Sequence, residues 1–191
     1  KIWNLEKATL EHTLTGHAMT VYALAVSADG QRFISASLDH TLKVWDIVTG
    51  IELRTLVGHT GGVHAVSMTL DGRWAVSGSS DNTLKVWDVE RGEELHTLTG
   101  HTDGVFALAL SADGRRAVSS SYDKTIKVWD VENGTELYTL TGYSNMIWAV
   151  ALSADGHRMV FGSDDKTLRV WDVKNGMEMY RLTGHSDMIL A

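Results

Sequence analysis

The sequence predicts an all-β protein, a β-propeller of four-stranded antiparallel blades on a 42-residue repeat. Three observations predict it. Tryptophan stands at Trp3, Trp45, Trp87, Trp129 and Trp171, a constant step of 42 residues. Glycine keeps the same step at Gly16, Gly58, Gly100, Gly142 and Gly184, at Gly30, Gly72, Gly114 and Gly156, and at Gly50, Gly92, Gly134 and Gly176. Each period also carries four short β-rich runs and no helical periodicity. One such unit cannot bury both of its faces, so neighbouring units must stack. Radial stacking of four-stranded sheets makes a propeller.

The elements follow in order. Residues 1–15 read as a partial blade that opens on a third strand, "KIWNL", with Asn4 in place of Asp and Ala8 in place of the turn glycine. Residues 16–57 form the first full blade. Its strands are expected at about 20–27 and 32–37, joined by Asp29-Gly30, a hairpin signal, and at 41–47 and 52–57, turning at Gly50. Residues 58–99, 100–141 and 142–183 repeat the pattern without insertion, and 184–191 begin another first strand, "MILA". The chain contains no Pro, so no strand is demoted to an edge. Four full blades with partial blades at both ends imply a segment of a larger ring; about seven blades would need roughly 290 residues at this period.

Composition sets looser bounds. Hydrophobic residues make up 43% of the chain, enough for a buried core, and no apolar run is long enough to cross a membrane. Zero Cys excludes disulfides and thiolate metal sites and suits the cytoplasm. A net charge of −7 argues against a general nucleic-acid binder. No membrane association and no cofactor are expected. The histidines His12, His40, His64, His96 and His157 show no metal-ligand spacing. Evenly spread cations at Lys43, Lys85, Lys127 and Arg169 read as solvated faces.

A unit of this length, with Gly-His near one end and Trp-Asp near the other, resembles the WD-repeat β-propeller family over essentially the whole chain. The "LSADGRR" turns are also similar to repeats of bacterial NACHT-type signalling ATPases, where they form a ligand-sensing region. The family resemblance implies a hydrogen-bonded tetrad in each blade. Carried over by position, these are His17, Ser35, Asp39 and Trp45; His59, Ser77, Asp81 and Trp87; and His101, Ser119, Asp123 and Trp129. The blade 142–183 keeps Asp165 and Trp171 but has Tyr143 and Phe161 in the other two places.

Ser, His and Asp together invite a hydrolase reading. Three equivalent copies, with no Gly-x-Ser-x-Gly elbow, favour a structural network instead. Tyr143 and Phe161 replace two groups that would touch, so they read as a compensated structural change. The Tyr143 hydroxyl is expected to be within reach of Asp165, and a ligand-contact role for Tyr143 is the alternative.

Function is expected where the repeats differ among themselves. One position after the Gly-His loop reads Tyr22, His64, Phe106, Trp148 and Leu190. Two residues earlier the series is Thr20, Gly62, Gly104, Met146 and Met188. The residue before the tetrad Asp reads Leu38, Ser80, Tyr122 and Asp164. The resemblance places these on the end of the ring where partner peptides dock. Tyr22, His64, Phe106, Trp148, Leu38, Tyr122 and Met146 are therefore the candidate partner-binding residues, with inter-blade packing as the plainer alternative. The expected function is a non-catalytic protein- or peptide-binding scaffold, self-associating through any open blade face. The rival is a propeller enzyme of hydrolase type, with its site built from residues outside this segment.

Overall fold

The computed structural model describes residues 1–190. It contains a two-stranded sheet and four four-stranded antiparallel sheets, and no helix among the described residues. Strands β1 (Ile2–Asn4) and β2 (Thr9–His12) form the short sheet. The first blade is β3 (Val21–Val26), β4 (Arg32–Ser37), β5 (Thr41–Asp46) and β6 (Glu52–Val57). The second is β7 (Val63–Met68), β8 (Trp74–Ser79), β9 (Leu84–Asp88) and β10 (Glu93–Leu98). The third is β11 (Val105–Leu110), β12 (Arg116–Ser121), β13 (Ile126–Asp130) and β14 (Thr135–Leu140). The fourth is β15 (Ile147–Leu152), β16 (Arg158–Ser163), β17 (Leu168–Asp172) and β18 (Met177–Leu182). Strand order within each blade follows the chain, so every connection is a hairpin.

The core lies in the seams between blades. Ile34, Ala36, Leu42 and Leu56 of the first blade pack on Val63, Val66, Ala75 and Trp87 of the second. Val76, Leu84 and Leu98 meet Val105, Ala117 and Trp129 in the next seam, and Val118, Ile126 and Val128 meet Ile147, Met159 and Phe161 in the third. Close approach requires small residues on the second strand of each blade. A Cβ on Gly78 would stand 2.7 Å from Val105 Cγ1, inside contact distance.

A hydrogen bond at the rim ties each sheet to the next. His12 Nε2 bonds the Val48 carbonyl at 2.9 Å, Arg54 Nε donates to Glu90 O at 2.7 Å, His96 Nε2 bonds Glu132 O at 3.1 Å and the Tyr138 hydroxyl donates to Val173 O at 2.6 Å. The donor side comes from an outer strand and the acceptor from the following blade's outer turn. The short sheet reaches only the rim of the first blade in this way. Val21, Leu24 and Val26 on that blade's inner strand are consequently exposed, whereas their counterparts Val63 and Val66 are buried and Met68 is half-buried. Residues 184–190 form no strand, yet Ile189 is buried against Gly162 as Val105 is against Gly78.

Each inner strand carries the same irregularity. Val21 and Ala23 pair with Ser37 and Ala36, leaving Tyr22 without an opposite number. His64, Phe106 and Trp148 are skipped in the same way. These are β-bulges, which release one residue from the ladder and re-aim its side chain.

Candidate functional site

Two networks occupy the same end of the blades, one repeated and one variable. The repeated one is the tetrad, intact in three blades. His17, His59 and His101 each place Nδ1 at 2.8 Å from Oδ2 of Asp39, Asp81 and Asp123. Their Nε2 atoms lie 2.7, 2.8 and 2.9 Å from Oγ of Ser35, Ser77 and Ser119. The indole Nε1–H of Trp45, Trp87 and Trp129 donates to the same Oγ atoms at 2.9, 2.9 and 2.8 Å. The network assigns the tautomer: Nδ1–H donates to the carboxylate and Nε2 accepts the serine proton. The serines are buried, and each Oγ already accepts an indole N–H. They are linkers within a wall, closed to substrate.

The sequence missed a fifth member. Thr41, Thr83 and Thr125 donate through Oγ1 to the Oδ1 of the tetrad Asp at 2.6 Å, and Thr167 does the same to Asp165. The signal was an Asp-x-Thr spacing on the same period. Burial would raise the Asp81 carboxyl, but donation from His59, Thr83 and the Thr60 N–H outweighs it and holds the group well below the carboxylate range. The lysines also differ from the expectation of solvated faces. Lys85 and Lys127 are buried, with Nζ bonded to Glu94 and Thr97, and to Glu136 and Thr139. Alternation along β9 and β13 places them on the tetrad Trp's face, where only a paired cation is tolerated.

In the fourth blade the Tyr143 hydroxyl makes no hydrogen bond to Asp165, contrary to expectation. Tyr143 packs on Phe161, with ring centres 5.3 Å apart at 77°. Arg169, standing where the other blades have Lys, lies 5.1 Å over the Tyr143 ring and donates Nη2 to Asp165 at 3.0 Å. Arg181 adds a second donor to the same carboxylate at 3.3 Å. Burial pushes the Tyr143 phenol up to about 12.

The variable network is built on the bulges. Leu38 N–H donates to Thr20 O, Ser80 to Gly62, Tyr122 to Gly104 and Asp164 to Met146, at 2.9–3.1 Å. All three variable positions therefore meet in every blade. Their side chains close on each other by a different chemistry in each case. His64 Nε2 bonds Ser80 Oγ at 2.6 Å, Phe106 packs on Tyr122 with ring centres 4.0 Å apart and tilted by 51°, and Trp148 Nε1–H donates to Asp164 Oδ1 at 2.5 Å. The rings also touch between blades: Tyr22 to His64 at 5.0 Å, His64 to Phe106 at 4.4 Å, and Tyr122 to Trp148 at 5.8 Å. The result is one continuous aromatic ladder across four blades.

Tyr22 is 58% exposed and Tyr122 39%, while His64, Phe106 and Trp148 are half-buried. A cavity of about 480 Å³ opens beneath the ladder, lined in part by His64, Phe106, Trp148 and Leu190. Burial lowers the His64 pKa from its ordinary value, and its Nδ1 has no hydrogen-bond partner. Met146 enters the site through its carbonyl, which accepts the Asp164 N–H. No group of three metal-ligating side chains gathers among the described residues.

Fold and site thus define a repeat propeller with a recurring hydrogen-bonded frame and a variable face. The model of the WD domain, G-beta repeat, matches residues 8–46, 50–88, 92–130 and 134–172, and the chain belongs to that WD-repeat family. Each match spans the outer strand of one blade and three strands of the next, so the repeat unit itself bridges a seam. No curated protein matches significantly. Among solved structures the chain is similar to one described as "Structure of U3-55K", with 27% identity and a TM-score of 0.85. The match covers 92% of this chain and 55% of that one, so the chain spans about half the length of that structure.

Proposed function

We propose that this chain is a non-catalytic interaction scaffold whose partner, a protein segment or peptide, docks across the aromatic ladder. WD-repeat propellers generally bind proteins or peptides. The observation that carries the reading is the coincidence of variation and bulge at Tyr22, His64, Phe106 and Trp148, in a ladder of which Tyr22 and Tyr122 are exposed. Three of the four full blades share one His–Ser–Asp–Trp frame, while the four residues released from the ladders all differ. Aromatic side chains give contact area at low entropic cost and dominate docking energetics. The hydrolase alternative gains no support from the tetrads, whose serines are buried and already bonded on both sides. The exposed inner strand of the first blade, with Val21, Leu24 and Val26, is a second surface open to self-association.

The test is a Phe106→Ala, Trp148→Ala double variant. Partner capture should fall at least tenfold while the melt stays close to that of the parent. Unfolding of the double variant would mean that the ladder is packing, and normal capture would place the partner elsewhere.

A further inference from the structure

The ladder differs in charge from one end to the other, and that difference points to what docks there. At the first blade the pair is Tyr22 and Leu38, without charge. At the fourth it is Trp148 and Asp164, joined through Nε1–H and Oδ1. Asp164 and Asp165 are neighbours in sequence with opposite fates. Asp165 is neutralised by Arg169 and Arg181. Asp164 forms no ion pair among the described residues, and its Oδ2 accepts no hydrogen bond from them. The nearest lysine in sequence, Lys166, is committed to the Ser186 carbonyl.

We infer that the Trp148–Asp164 corner, with Tyr122 beside it, receives an arginine side chain of the docked protein segment. The inference rests on the reading of this face as the partner site. A half-buried carboxylate with one oxygen uncommitted offers a bound cation a charged acceptor partly shielded from water. The indole is held by Asp164, so its ring orientation is set before any partner arrives. Tryptophan is the best aromatic surface for a cation, and a planar guanidinium can stack on a ring while donating to a carboxylate edge. Oδ2 is the unspent acceptor. Tyr122 stands at 90° to the Trp148 ring and supplies a second wall. The net charge of −7 draws a cation in from a distance and opposes an acidic segment. The segment then has a direction: its arginine on the fourth blade and its apolar residues toward Tyr22 and Leu38.

The test uses an acetylated, amidated hexapeptide of leucine and serine with one arginine, and its twin with citrulline, which has the same shape without the charge. Binding is followed at low salt through the Trp148 indole N–H resonance. The arginine peptide should shift that resonance with at least tenfold higher affinity than the citrulline peptide. Asp164→Asn should bring the arginine peptide to the citrulline level, without changing the melt, because the new side-chain carbonyl still accepts the indole N–H. Equal binding of the two peptides, no shift with either, or full arginine binding by Asp164→Asn would overturn the inference. A partner captured through Phe106 and Trp148 but indifferent to Asp164→Asn would overturn it while leaving the docking face in place.

Discussion

Blades 58–99 and 142–183 hold the same turn in two different ways. In the first, Asp81 receives donors from the His59 imidazole, a threonine hydroxyl and backbone N–H groups, and the histidine passes the network on to Ser77 and Trp87. In the second, an aromatic pair fills the space of His and Ser but cannot supply a donor to Asp165. Two guanidiniums do so instead, and both come from substitutions at scaffold positions: Arg169 for Lys85 and Arg181 for Thr97. The exchange is therefore four residues wide. It also leaves a residue of cost. Trp171 Nε1 lost its serine acceptor to Phe161 and is buried without a partner. A turn aspartate needs satisfied oxygens, and the chemistry that satisfies them is replaceable as a set.

The largest effect should come from removing the packing that replaced the tetrad. Phe161 is fully buried between Tyr143 and Trp171, so Phe161→Ala should cost about 3–5 kcal/mol in chemical denaturation. In the intact blade, Ser77→Ala strands His59 Nε2 and Trp87 Nε1 and should cost about 1–3 kcal/mol. A smaller cost for Phe161→Ala than for Ser77→Ala would mean that the fourth blade is not held by its aromatic pair.

The comparison sharpens if the tetrad is rebuilt. Tyr143→His and Phe161→Ser each leave an unmatched group, but together they restore a His–Ser contact and give Trp171 an acceptor. A double-mutant cycle should show a favourable coupling of about 1 kcal/mol or more. Additive losses would show that Arg169 and Arg181 hold Asp165 too firmly for histidine to compete.

A smaller contrast appears with pH. Burial holds the His101 pKa below its ordinary value despite Asp123, so the unfolded chain binds this proton more readily than the folded one. Stability contributed by blade 100–141 should be complete above about pH 6.5 and decline as pH falls below it. Blade 142–183 has no histidine in its network. Asp165, held low by Thr167 and Arg169 against the effect of burial, loses its contribution only in the acid range. Hydrogen-exchange protection should therefore weaken at Thr125 before Thr167 as pH is lowered from 7 to 5.

Much of this frame was legible in the sequence. The step between tryptophans fixed the blades, and the Asp-Gly pairs and the glycines in step with Gly50 marked hairpins that the structure contains. The tetrad came from the family resemblance, and the repeat then carried it to equivalent residues in each blade. Ion pairs across β5 and β6, or β9 and β10, were less visible. Lys85 and Glu94 are separated by nine residues, a spacing that means contact only once the hairpin register and its bulge are known. The same limit hid Arg181, whose partner Asp165 lies two strands away. The variable positions could be found by comparing repeats. Their bulged geometry could not, since no residue type marks it: Tyr, His, Phe and Trp all occupy it.

The difference between the two blades is most directly tested by salt. Ion pairs that are partly exposed are screened, whereas a buried hydrogen-bond network is screened much less. Native-state hydrogen exchange of the Thr83 and Thr167 amides, each donating to its turn aspartate, should be measured at low salt and at 1 M NaCl. The account predicts that Thr167 loses protection by several-fold at high salt while Thr83 keeps it. Equal responses at the two amides would contradict the claim that guanidiniums have taken over the work of the histidine.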